Sequence, residues 1–107
     1  MFMKTFIANF NKAQFLAPLF MKHSLFIEIK PHHENSYYIE LSSEGAKTLT
    51  YPPNHIDFLI EGELEDLEEV LLNHASLKQL IASGKVKIKG SYRHFLKFDA
   101  IIKLSAC

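Results

Sequence analysis

Hydrophobic residues at Phe2, Phe6, Ile7, Phe10 and Ala13 return at helical spacing, while Lys4, Asn9, Asn11 and Lys12 fill the rest of the wheel. The pattern predicts an amphipathic helix over residues 3–16. Pro18 ends or kinks it, and Leu19-Phe20-Met21 adds a further turn. The period then falls to two. Leu25, Ile27 and Ile29 alternate with Phe26, Glu28 and Lys30, and after Pro31-His32-His33-Glu34-Asn35 the alternation resumes with Tyr37, Ile39 and Leu41. This predicts two strands joined as a hairpin. A turn over residues 42–45 leads to a third strand over 47–51, which Pro52-Pro53-Asn54 breaks, and Ile56, Phe58 and Ile60 mark a fourth. The short links predict that these four strands are antiparallel neighbours.

From Leu64 the period returns to that of a helix. Leu64, Leu67, Val70 and Leu71 share one face of a segment whose first turns are crowded with carboxylates, where the helix dipole favours them. Ser76 and Gln79 have capping-box spacing at the head of a second short helix with apolar positions Leu77, Leu80 and Ile81. Gly84 stands where a left-handed residue ends a helix. Residues 85–89 alternate as a fifth strand, and Ser91 caps a last helix whose apolar face is Phe95, Phe98, Ile101 and Ile102. The order is α-β-β-β-β-α-α-β-α, an α+β chain whose amphipathic helices are available to cover a half-buried sheet.

Length makes this one domain spanning residues 1–107. A chain of 12.3 kDa scales to roughly 6,100 Å² of folded surface against roughly 17,800 Å² extended, about 65% burial, which suits a single core. With 48% apolar and 22% charged residues and only four glycines and four prolines, the composition is globular and excludes a disordered or collagen-like chain. Twelve basic residues balance twelve acidic ones. That leaves no basic excess to displace the counterions of a duplex, and nucleic acid is not an expected partner. The single cysteine, Cys107, cannot form an internal disulfide. No apolar run approaches the roughly 20 residues of a membrane span, and the start of the chain lacks a secretory pattern. A cytoplasmic location is the expectation.

Charge also has a distribution. Glu61, Glu63, Glu65, Asp66, Glu68 and Glu69 form an acidic block, and Lys78, Lys85, Lys87, Lys89, Arg93, Lys97 and Lys103 make the last third basic. Solvated faces and dipole complementarity account for most of this. Lys85, Lys87 and Lys89 share a strand face, however, and could form a rim for transient contact with an anionic membrane surface.

Catalytic signatures are missing. The sequence has no Gly-x-Ser-x-Gly elbow, phosphate loop or His-Glu-x-x-His. Cys107 sits at a terminus, where fraying keeps a thiol from being held against a base. His23, His32, His33, His55, His74 and His94 form no i, i+4 pair on a predicted helix and match no zinc spacing. The expectation is no catalytic residue, no metal and no cofactor.

The segment from residue 55 onward resembles the sterol-carrier-protein, or non-specific lipid-transfer, family. That family carries a Ser-Gly-Lys-aliphatic-Lys-aliphatic-Lys-Gly stretch at the place matched here by residues 83–90, after an acidic leucine helix and before a terminal Phe/Leu/Ile helix. The order of elements agrees over nearly the whole chain. The resemblance implies a five-stranded, mainly antiparallel sheet covered on one face by helices, with an apolar tunnel between the layers. It implies non-catalytic binding of a fatty acid, fatty acyl derivative or sterol-like lipid. Carried over by position, the tunnel wall would comprise Leu67, Val70 and Leu71 from the first covering helix, Leu77, Leu80 and Ile81 from the second, and Phe95, Phe98 and Ile102 from the last. The chain departs from eukaryotic members in lacking a peroxisomal terminus, which favours a prokaryotic or cytosolic member.

Phe95 and Phe98 are large enough to fill such a tunnel. An empty cavity of about 300 Å³ would cost about 7 kcal/mol, which rivals the stability of a whole domain. The pocket is therefore expected to be occupied or partly collapsed, or else filled by its own phenylalanines. Two function classes follow: a lipid-binding protein, monomeric or dimeric, and a structural or assembly module with a filled interior that pairs with itself or with an enzyme.

Overall fold

A computed structural model describes residues 2–12 and 24–105. Helix α1 (Phe2–Lys12) is followed by strands β1 (Leu25–Pro31), β2 (Tyr37–Ser42), β3 (Gly45–Leu49) and β4 (Phe58–Gly62). Helices α2 (Leu64–Leu71) and α3 (Leu77–Ala82), strand β5 (Val86–Gly90) and helix α4 (Tyr92–Ser105) complete the order expected from the sequence. The end predicted for the first helix, residues 13–16, and the further turn at Leu19-Phe20-Met21 lie outside the described residues, as do His23 and Cys107.

The strands form one five-stranded sheet in the order β3-β2-β1-β4-β5. Most pairs are antiparallel, but β4 lies parallel to β1, with Ile27 opposite Phe58 and Ile29 opposite Ile60. The first four strands are therefore not sequential antiparallel neighbours, which corrects the expectation from short links. Residues 50–57 cross the sheet from the β3 edge and insert β4 beside β1. Strand boundaries shift as well. β3 begins at Gly45, where the Ala46 N–H donates to Asn11 Oδ1 at 2.8 Å, and it stops at Leu49, before the prolines. β4 starts at Phe58 and not Ile56, and it continues to Gly62 opposite Val86.

Alternation sets the faces. Leu25, Ile27, Ile29, Ile39, Leu41, Ala46, Phe58, Ile60 and Val86 are buried on one side of the sheet. Phe26, Glu28, Tyr38, Glu40, Leu59, Glu61, Lys87 and Lys89 stand on the other. The buried side meets Phe6 and Phe10 of α1, Leu67, Val70 and Leu71 of α2, Leu77 of α3, and Phe95, Phe98, Ile101 and Ile102 of α4 in a single core.

Caps fix the helix ends. Ser76 Oγ accepts the Gln79 N–H at 3.4 Å, and Gly84 follows α3 at φ +80°. Ser91 Oγ accepts the His94 N–H at 3.1 Å at the head of α4. α2 has no side-chain cap but carries Glu65 and Asp66 in its first turn, where their charge complements the exposed N–H groups.

Candidate functional site

The nine residues expected to line an apolar tunnel occupy one layer between the sheet and its helices. Leu67, Val70 and Leu71 on α2, Leu77 on α3, and Phe95, Phe98 and Ile102 on α4 are all buried in the core, and Leu80 and Ile81 pack against it half-buried. Their placement follows from helical spacing. Each apolar stripe turns to the sheet, because burying a Leu, Ile or Phe side chain contributes about 1.5–3 kcal/mol. Phe98 sits at the centre of this layer. It is completely buried, 6.4 Å from the Phe6 ring in an edge contact and 5.2 Å from the Phe58 ring. Phe95 is nearer the rim, stacked on Tyr92 at 6.0 Å. Among the described residues the only buried polar side chain is Asp99, which pairs with Lys103 at 3.1 Å. The layer is thus apolar, with almost no polar side chains.

Three cavities lined by described residues open elsewhere. One of about 550 Å³ lies beside the β3–β4 connection, among Phe26, Leu49, Tyr51, Pro52, Pro53 and His55. A second of similar size surrounds the β1–β2 turn at His32 and His33. A third, of about 470 Å³, is formed by Ser24, Leu25, Phe26, His55, Asp57, Arg93, His94 and Lys97. None of the nine layer residues lines any of these three.

The third cavity has a built polar floor. Asp57 Oδ2 accepts the Phe26 N–H at 2.9 Å, and the Asp57 N–H donates back to the Phe26 carbonyl at 2.8 Å. His55 Nε2 lies 3.3 Å from Asp57 Oδ1, with its ring edge-on to Phe26. His94 Nδ1 donates to the Asp57 carbonyl at 3.1 Å, since a carbonyl oxygen can only accept. Burial, and secondarily the neighbouring Arg93 guanidinium, hold the Lys97 ammonium below its ordinary pKa, while Asp57 opposes them with a smaller pull. Sequence reading placed Arg93 and Lys97 only in a basic third and His55 and His94 only in an inventory of histidines. The contacts that gather them span 31 and 37 residues, and no local pattern signals them.

Two other histidines face carboxylates. His32 lies 3.1 Å from Glu63 and 3.9 Å from Glu61, and His74 lies 3.4 Å from Glu69. Among the described residues no three His, Cys, Asp or Glu side chains gather as a metal-binding group. None of the described helices is long and apolar enough to cross a membrane.

Comparison with known proteins brings four likenesses. Residues 10–103 match the model of the SCP-2 sterol transfer family. The chain is 31% identical over 91 residues to the SCP2 domain-containing protein YusD of Bacillus subtilis (strain 168), covering 85% of this chain and 79% of that protein. The fold superposes on the UbiJ-SCP2 ubiquinone synthesis protein with a TM-score of 0.75 at 15% identity, over 95% of this chain and 85% of the other. It also superposes on part of the sec-alkyl sulfatase PisA1 with a TM-score of 0.73 at 15% identity, over 97% of this chain but 16% of the sulfatase.

Proposed function

The chain belongs to the SCP-2 sterol transfer family, and from that premise we propose that it binds the apolar part of a lipid between its helices and its sheet without catalysing a reaction. The observation that carries this reading is the chemistry of the layer. Leu67, Val70, Leu71, Leu77, Leu80, Ile81, Phe95, Phe98 and Ile102 supply apolar surface with almost no polar groups. Such a surface holds a fatty acid, an acyl derivative or a sterol-like molecule by excluded water, at about 0.8 kcal/mol per buried methylene. Association and ordering offset much of that gain, so affinities in the micromolar range are expected. Lys85, Lys87 and Lys89 give the protein a basic edge for transient contact with the membrane that donates or receives the lipid.

Displacement of a fluorescent fatty acid by palmitate measures this directly. Ile102→Asp, which puts a carboxylate on the layer face of α4, should abolish binding while circular dichroism checks that the fold persists. Leu80→Asp is the milder companion, because Leu80 is only half-buried. Unchanged binding in a folded variant would remove these residues from the wall.

A second reading, an assembly module, is favoured by one observation. The same fold makes up 16% of the sulfatase chain, so it also occurs as a part of a larger enzyme. Light scattering separates the two readings: a concentration-independent dimer that takes up no lipid belongs to the assembly module.

A further inference from the structure

The cavity at the head of α4 is unrelated to the apolar layer and has the opposite chemistry. Arg93 and Lys97 stand one turn apart on α4 (i, i+4), a spacing that brings like charges together at an energetic penalty. Both line the cavity with His55, His94 and Asp57. Among the described residues of the lining Asp57 is the single carboxylate, beside the cationic side chains Arg93 and Lys97. Its side-chain oxygens are also committed elsewhere, one to the Phe26 N–H and one to His55. Its effect on Lys97 is smaller than the combined opposition of burial and Arg93. Two cationic side chains therefore border a recess at the N-terminal end of the α4 dipole.

The lining is also built to hold its shape. The reciprocal Phe26–Asp57 backbone and side-chain bonds fix the floor. The bond from His94 Nδ1 to the Asp57 carbonyl sets the His94 tautomer. That leaves His94 Nε2 to accept a hydrogen bond from a hydroxyl of a protonated oxyanion.

We propose that this cavity binds a phosphate group, with Arg93 and Lys97 as its cations and His94 and His55 as hydrogen-bonding partners. Phosphate carries about two negative charges near neutral pH, which suits a lining with two cationic side chains, and guanidinium presents a fork that matches its oxygens. The adjoining trough of Phe26, Leu49, Tyr51 and Pro52 shares Phe26 and His55 with the cavity. A phosphate with an apolar neighbour would fit across both. The phosphate can come from the headgroup of an anionic lipid or from a free phosphate compound.

The test uses the full chain in two arms. Inorganic phosphate is titrated against 15N-labelled protein at constant ionic strength. Flotation is measured with phosphatidylcholine vesicles with and without phosphatidic acid. Saturable shifts are expected at the amides of Phe26, Asp57 and residues 93–97, weakened by about tenfold or more in Arg93→Gln/Lys97→Gln, where the charge-assisted contacts are gone. Lys87→Gln/Lys89→Gln, on β5 and outside the cavity lining, should leave those shifts intact. Flotation that needs phosphatidic acid and is lost in Arg93→Gln/Lys97→Gln identifies a lipid headgroup. Saturable phosphate shifts without flotation identify a free phosphate compound. Shifts that fail to saturate, accompanied by no flotation or by flotation that survives Arg93→Gln/Lys97→Gln, overturn the proposal. So do saturable shifts that are equally strong in that variant. If flotation is lost only in Lys87→Gln/Lys89→Gln, β5 is the membrane contact, and the cavity keeps its assignment only on saturable, variant-sensitive phosphate shifts.

Discussion

Phe98 shows what a single side chain can decide. Its ring fills the space between Phe6 and Phe58 and is fully buried. Phe98→Ala is expected to cost about 3–5 kcal/mol in urea denaturation. If the layer accepts lipid, palmitate should recover part of the lost Tm, because a ligand that binds only the folded state stabilises it. Glycine positions offer a second test at this scale. Gly90 has φ +141°, and a Cβ there would lie 2.8 Å from the Asp57 carbonyl oxygen and 3.1 Å from the Phe58 ring. Gly84 has φ +80° but open space around it. Gly90→Ala should therefore destabilise by about 1–3 kcal/mol, and Gly84→Ala by only about 1 kcal/mol, both read as shifts in the denaturation midpoint.

Between elements, the parallel pairing of β1 with β4 depends on Asp57, which bridges the two strands at the Phe26 amide. Asp57→Ala leaves that N–H without its acceptor and should cost about 1–3 kcal/mol, with faster hydrogen exchange at the Phe26 amide. Asp57→Asn keeps an accepting oxygen and should lose much less. This pairing also marks where sequence reading stops. Period-two alternation separated the two faces of β1, β2 and β4 but left open which of them turns inward, and the helical stripes of α2, α3 and α4 were plain from Leu67, Leu77 and Phe98. Alternation carries no information on which strand lies beside which, so the insertion of β4 next to β1 was not legible. The start of β3 at Gly45 was hidden for the same reason, because it depends on Asn11 of α1 reaching across to the Ala46 amide. Every residue of the cationic cavity was visible in the sequence, but its assembly from Ser24, Asp57 and Arg93 needed the tertiary fold.

For the molecule as a whole, zero net charge is a sum of opposed regions: acidic α2 on one side, β5 and α4 on the other. The two candidate sites divide along chemical lines, an apolar layer between helices and sheet and a cationic recess at the head of α4. Lipid binding in the layer is the central claim, and the most direct measurement is extraction and mass spectrometry of lipid from the purified protein, before and after loading with palmitate. The account predicts one lipid per chain, acquired from the host or taken up on loading, and lost together with fluorescent fatty-acid binding in Ile102→Asp. A folded protein that carries no lipid and takes up none would contradict it.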